Sequence, residues 1–135
     1  MAKPLQVVVV TPEQTALEQE AEFVALPLYD GEIGIAPNHS PLIGRLGYGE
    51  MRIKTAGKEL HYYIDGGFVQ VVDNVVSVLT NRAVPASKLD LALAQTQLSS
   101  AMTKPVNTPE LLAIRDRSIA QARAQIRVAK MASRA

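Results

Sequence analysis

Short apolar, β-branched runs separated by turn residues fill the first 84 positions of the chain. Leu5–Val10 and Phe23–Leu28 are apolar runs, Glu50–Lys54 alternates, and Leu60–Ile64, Phe68–Val72 and Val75–Leu79 follow. Patterning of this kind predicts strands. Asp73-Asn74 is a two-residue connection suited to a tight hairpin, and Thr55-Ala56-Gly57-Lys58 offers another turn. Gly66-Gly67 permits a bulge or a sharp bend. Turn signals recur roughly every 8–12 residues, as in antiparallel sandwiches and flattened barrels. No strand–helix–strand alternation appears, which argues against a parallel nucleotide-binding sheet.

After Pro85 the period changes to that of a helix. Ser87-Lys88-Leu89-Asp90 reads as a capping box, with Ser87 as N-cap and Asp90 at the third helical position. That predicts a helix from Leu89 to about Ala101. The segment 103–108, with Pro105, breaks it, and Thr108-Pro109-Glu110 opens a second helix that can run to about Ala132. The short link predicts an antiparallel hairpin. Leu112, Ile119, Ala122, Ile126 and Ala129 form a thin, Ala-rich apolar stripe on the second helix. Arg123, Arg127, Lys130 and Arg134 fall in a narrow arc beside it. A buried Leu or Ile contributes roughly 1.5–3 kcal/mol and Ala much less. A hairpin docked through so few anchors can leave its seat and bind elsewhere; the plainer alternative is an amphipathic hairpin permanently docked on the sandwich. The chain thus divides into a β domain, residues 1–84, and a two-helix domain, residues 85–135.

The segment Tyr29–Leu42 stands out within the β domain. Asp30-Gly31 signals a tight turn, and Pro37 and Pro41 stiffen the backbone on either side of His39. A stiff loop on a β scaffold suits recognition.

Composition narrows the choice. With 47% hydrophobic and 20% charged residues the chain can bury a core. It has no cysteine, which excludes disulfides, a thiol nucleophile and cysteine-ligated metal. No apolar run approaches the roughly 18–20 residues that span a bilayer, and no signal-peptide layout is present, so a cytosolic location is the expectation. The net charge of +1 conceals an asymmetry. Residues 1–84 carry six Lys/Arg against ten Asp/Glu, and residues 85–135 carry eight against three. An acidic body therefore bears a basic tail piece, which suits docking or separate partners.

Several runs, in order, carry a family resemblance. They are Gly31-Glu32-Ile33-Gly34-Ile35-Ala36-Pro37-Asn38-His39-Ser40-Pro41-Leu42, Gly47–Ile53, Gly66-Gly67-Phe68-Val69-Gln70-Val71, Asn74–Leu79, Ile119-Ala120-Gln121 and Gln125-Ile126-Arg127-Val128. With them the whole chain resembles the ε subunits of F-type ATP synthases. The resemblance implies a ten-stranded antiparallel β-sandwich followed by an α-helical hairpin. It implies a non-catalytic place in the central stalk, where the sandwich binds the γ subunit and the c-ring and couples rotation to synthesis. It also implies that the helices can extend toward the α/β head and inhibit ATP hydrolysis. The location implied is peripheral, on the cytoplasmic face of a bacterial plasma membrane rather than on a thylakoid, with no homo-oligomer.

The resemblance assigns roles residue by residue. Gly31, Glu32 and Ile33 face the polar loops of the c-ring. His39, Pro41 and Leu42 lie at the γ contact. Arg123, Arg127, Lys130 and Arg134 meet an acidic segment of the β subunits, which charge complementarity favours. Many relatives bind regulatory ATP through Ile/Leu-Asp-x-x-Arg-Ala on the first helix and arginines of the second. Here Asp90, Arg123 and Arg127 match, but the motif arginine is Leu93. Leu supplies no charged planar fork, so the departure argues against ATP binding, although Arg123 and Arg127 can still reach phosphates; no cofactor is required. Each role has a plainer counterpart: Glu32 as a solvated turn carboxylate, His39 as a ring bonded to loop backbone, Asp90 as a cap, the arginines as a solvated face. Two other classes fit less well. A nucleic-acid binder using the basic hairpin would lack aromatics there, since all six lie in the first 84 residues. A hydrolase built on His61 with Asp65 or Asp73 would lack a nucleophile motif, and two histidines without paired carboxylate spacing do not make a metal site.

Overall fold

The computed structural model describes residues 3–133. Eight strands come first: β1 (Leu5–Val10), β2 (Thr15–Ala21), β3 (Phe23–Leu28), β4 (Gly31–Ile35), β5 (Leu42–Thr55), β6 (Lys58–Val72), β7 (Val75–Leu79) and β8 (Ala83–Pro85). A single 3-10 turn at Ala86–Lys88 precedes two helices, α1 (Leu91–Met102) and α2 (Pro109–Ser133). The chain separates into two compact units between Pro85 and Ala86.

The strands pair in the order β2-β1-β7-β6-β5-β3-β4, with β8 on β6. All these pairs are antiparallel except β1 with β7, which run parallel. The long strands β5 and β6 hold the unit together. In the first half of β5 Leu46 points into the core; after Gly47-Tyr48-Gly49 the inward positions are Met51 and Ile53. In β6 the switch falls at Gly66-Gly67, between buried Ile64 and buried Val69 and Val71. Period-two alternation is interrupted at both places, so each strand bends and serves both layers of a sandwich. The resemblance implied ten strands and the structure has eight continuous ones. The difference is these two bends: counting each half separately restores ten.

Gly67 is fixed by this bend. Its φ is +107°, and a Cβ there would collide with the Leu79 carbonyl oxygen. Two hairpins carry the expected left-handed pairs, Ala56-Gly57 (φ 49° and 78°) and Asp73-Asn74 (φ 50° and 64°). Between the layers Leu5, Val7, Val24, Leu26, Ile53 and Val71 are fully enclosed.

The stiff segment 29–42 is only partly a loop. Gly31–Ile35 pairs with β3 from Leu28↔Gly31 to Val24↔Ile35, so Tyr29-Asp30 closes a hairpin and the loop proper is 36–41. The first helix also begins later than the capping box implied. Asp90 is itself the N-cap, its carboxylate accepting from the Leu93 N–H at 3.0 Å. Residues 86–88 spend their backbone in the 3-10 turn, which leaves Ser87 outside the helix. Thr108 caps α2, accepting from the Leu111 N–H at 3.1 Å. On α2, Ala122 and Ala129 are buried as the stripe requires, but Leu112 is exposed and its neighbour Leu111 turns inward. At about 100° per residue Leu112 shares its direction with Arg123 and Lys130 instead.

Candidate docking surfaces

The β3–β4 hairpin presents Tyr29, Asp30, Gly31 and Glu32 to solvent, while Ile33 packs on the core. Glu32 is not a free carboxylate. Arg52 Nη2 on β5 donates to its Oε1 at 2.8 Å, with both side chains partly exposed. Such a pair contributes about 0.2–1 kcal/mol, so it orients Glu32 more than it stabilises the fold. Of the sequence-expected ring contacts, Gly31 and Glu32 are therefore outward and Ile33 is not.

The loop 36–41 is tied down from the other side. The Asn38 N–H donates to Asn74 Oδ1 at 2.6 Å, joining this loop to the β6–β7 turn. Asn38 takes φ 66° to do so, a conformation Asn tolerates. His39 Nδ1 lies 2.7 Å from the Ser40 carbonyl oxygen, the bond the plainer reading anticipated. Pro41 is exposed, and Leu42 leans on the core. The outward residue beside it is Ile43, 76% exposed.

Ile43 leads to a surface that the motifs did not mark. Pairing registers place Val10, Leu79, Phe68 and Arg45 in one row across β1, β7, β6 and β5. The adjacent row holds Val8, Ser77, Gln70 and Ile43, and the next Gln6, Val75 and Val72. All point away from the core, because Val7, Val9, Val69, Val71, Val76 and Val78 on the same strands point into it. Phe68 is 59% and Leu79 53% exposed. A largely apolar, outward sheet face of this kind is a candidate interaction site. The sequence carried its signal: Phe68–Val72 and Val75–Leu79 are apolar on nearly every residue, whereas a sheet with one solvated face alternates.

On the helical unit Arg123, Arg127 and Lys130 are exposed, opposite the buried Ala122, Ala129 and Val128. Arg134 lies outside the described residues. Asp90 is engaged by its own helix, and Leu93 is 52% exposed with no polar group to offer.

His61 is joined to neither Asp65 nor Asp73. Its Nδ1 is 3.1 Å from Glu50 and its Nε2 3.5 Å from Glu59. Asp65 accepts instead from the Tyr63 hydroxyl at 2.9 Å. Among the described residues no group of three or more His, Cys, Asp or Glu could hold a metal ion. No described helix is long and apolar enough to cross a membrane.

Comparison with known proteins gives a consistent result. Residues 4–86 match the family model of the ATP synthase Delta/Epsilon chain β-sandwich domain. The ATP synthase epsilon chain of Rhodopirellula baltica is 48% identical over 126 residues, covering 93% of this chain and 98% of that one. The epsilon chain of Synechococcus sp. (strain JA-2-3B'a(2-13)) is 41% identical over 135 residues, with 96% of each covered. Among solved structures, a chain of the Euglena gracilis mitochondrial ATP synthase OSCP/F1/c-ring assembly has a TM-score of 0.81 at 20% identity. It covers all of this chain and 84% of that one. A chain of the Tetrahymena thermophila mitochondrial central stalk and c-ring has a TM-score of 0.73 at 14% identity, with 96% and 99% covered. At these identities the structural likeness speaks to the fold.

Proposed function

The chain belongs to the family of ATP synthase epsilon chains, non-catalytic subunits of that complex, and on that premise we propose that its sandwich is a rotary coupling element of the central stalk. In this reading the outward face of β1, β7, β6 and the start of β5 docks on the γ subunit, together with His39 and Pro41. The β3–β4 hairpin, with Gly31 and Glu32, meets the c-ring. The observation that carries it is the exposed apolar row through Leu79 and Phe68, continued by Ile43 and linked to the His39 loop by the Asn38–Asn74 bond. Burying that row against a partner removes apolar area from water. Glu32 then reaches the ring as half of an ion pair already formed with Arg52, pre-oriented by it. Each rotation thus moves hairpin, sandwich and γ together. The complex sits peripherally at the cytoplasmic face of a bacterial plasma membrane.

The helical unit is the regulatory part. Arg123, Arg127 and Lys130 on one exposed arc suit an acidic segment of the catalytic head, and the Asp90 cap together with Leu93 at the motif position argues against a regulatory ATP. The test uses cognate ATP synthase depleted of this subunit and reconstituted with the full chain or with a chain ending at Pro85. Both are expected to restore proton-coupled ATP synthesis, and the shorter chain to leave hydrolysis higher. Failure of either to bind, or loss of coupling with the shorter chain alone, overturns the assignment.

A further inference from the structure

The outward sheet face is not uniform in charge. At its β2 edge stand Glu18 and Glu20, exposed and in register with Val8 and Gln6 of β1. At its β5 edge stands Arg45, in register with Phe68. Acid, apolar and basic zones therefore follow one another across the strands. Arg45 is held unusually for a surface cation. Its guanidinium carbon lies 4.4 Å from the centre of the Tyr29 ring, and the Tyr29 N–H donates to the Arg45 carbonyl oxygen at 2.8 Å. Tyr29 itself is 70% exposed. Among the described residues ion pairs form at Arg52, His61 and Arg115, and none of them reaches Arg45. A guanidinium covered on one face by a ring keeps its edge donors available for bidentate bonding to a carboxylate. The backbone bond holds Tyr29 beside Arg45, and because the ring contact restricts the guanidinium beforehand, less freedom is lost on binding.

We propose that Arg45, seated on Tyr29, is a specificity-determining contact of the docking face and receives a carboxylate of the partner stalk subunit. Glu18 and Glu20 face basic groups of the same partner at the far edge, with Phe68 and Leu79 as the apolar centre between them. The partner surface that fits is an apolar stripe flanked by acid on one side and base on the other. The two charged edges fix which way round it lies, since a reversed partner would meet like charge at both. Tyr29 belongs to the hairpin that carries Glu32, so the same pair also links the docking face to the ring-facing turn. This inference rests on the reading of the face as the γ-docking surface.

The experiment measures binding of the full-length chain and its variants to cognate ATP synthase depleted of this subunit, at low and high salt. Phe68→Ala is expected to weaken binding by about 30-fold, as for a central aromatic anchor. Arg45→Glu is expected to weaken it by more than about tenfold, with the deficit shrinking in high salt. Arg45→Lys recovers only part, because the fork is lost. Thermal unfolding of each variant should match the parent, the replaced side chains being exposed. If Phe68→Ala binds like the parent, the docking face is misassigned and the inference falls with it. If Phe68→Ala is weak but Arg45→Glu and Arg45→Ala are not, the anchor alone is wrong. The acid-to-base pattern would also suit a second copy of this chain. Self-association of the isolated chain that Arg45→Glu abolishes, without change in binding to the complex, would overturn the proposed partner.

Discussion

The two units of this chain bury different kinds of side chain. The sandwich encloses Leu5, Leu26, Ile35, Ile53, Ile64 and Met51, all without exposed surface. Among the described residues of the hairpin the buried ones are small: Ala94, Ala101, Ala122, Ala124 and Ala129, with Val128 the largest. A buried Leu or Ile contributes roughly 1.5–3 kcal/mol, an Ala a fraction of that. Alanine instead supplies helix propensity and close helix approach. The sandwich is thus held by packing, while the helices are held mostly by propensity and by the caps at Asp90 and Thr108. A body that transmits torque needs the first kind of stability. The second kind leaves the helical pair without large apolar anchors.

The comparison breaks most visibly at the bend. Gly67→Ala would drive a methyl into the Leu79 carbonyl at a left-handed φ, and a loss of more than about 3 kcal/mol is expected, enough to abolish folded yield. Ile53→Ala leaves a cavity between the layers and should cost about 2–5 kcal/mol by chemical denaturation. Val128→Ala, the nearest equivalent on α2, should cost about 1–2 kcal/mol and reduce only the helical signal. Equal damage from the Ile53 and Val128 variants would sink the contrast between a packed unit and a marginal one.

Which of these features the sequence made legible follows the same physics. β1, β3 and β7 could be bounded correctly because each is a short apolar run between turn residues. β2 is not legible in the pattern because Thr15–Ala21 is an edge strand that turns only Leu17 and Ala21 to the hydrophobic core, leaving a mostly polar string. β4 is not legible either, because two glycines in five residues read as turn, and only its ladder with β3 makes Gly31–Ile35 extended. The parallel β1–β7 contact joins residues about seventy positions apart and leaves no local trace. The same distance problem hid the docking face. Glu32 and His39 were reached through motif resemblance, but Arg52, Phe68, Leu79 and Arg45 acquire meaning only once the register sets them beside their partners. Position 112 shows the limit at finer scale: Leu111 and Leu112 are chemically identical candidates, and the phase of α2 chooses between them.

The helical half of the contrast, proposed above as regulatory, can be probed with less disturbance. Arg123→Glu with Arg127→Glu changes two exposed positions and should leave the unfolding midpoint within about 0.5 kcal/mol of the parent. In the assembled enzyme the pair is expected to raise ATP hydrolysis several-fold while synthesis persists. Hydrolysis at the parental level would mean that the exposed arc is a solvated face and that inhibition, if present, uses other contacts.

The smallest change separates capping from nucleotide binding. Asp90 accepts the Leu93 N–H at 3.0 Å and so satisfies one of the orphan donors at the start of α1. Asp90→Ala should cost about 1 kcal/mol, seen as lower helix content of the full chain on mild heating, with the sandwich transition unmoved. Calorimetric titration with ATP should give no saturable heat for either protein, because the carboxylate is already used and Leu93 offers no cation. Leu93→Arg supplies the missing fork at a position that is already exposed, without disturbing the cap. Tight ATP binding by the parent would show that Arg123 and Arg127 suffice by themselves. Binding gained only in the Leu93→Arg variant would instead show that one side chain on α1 decides whether this unit answers to nucleotide.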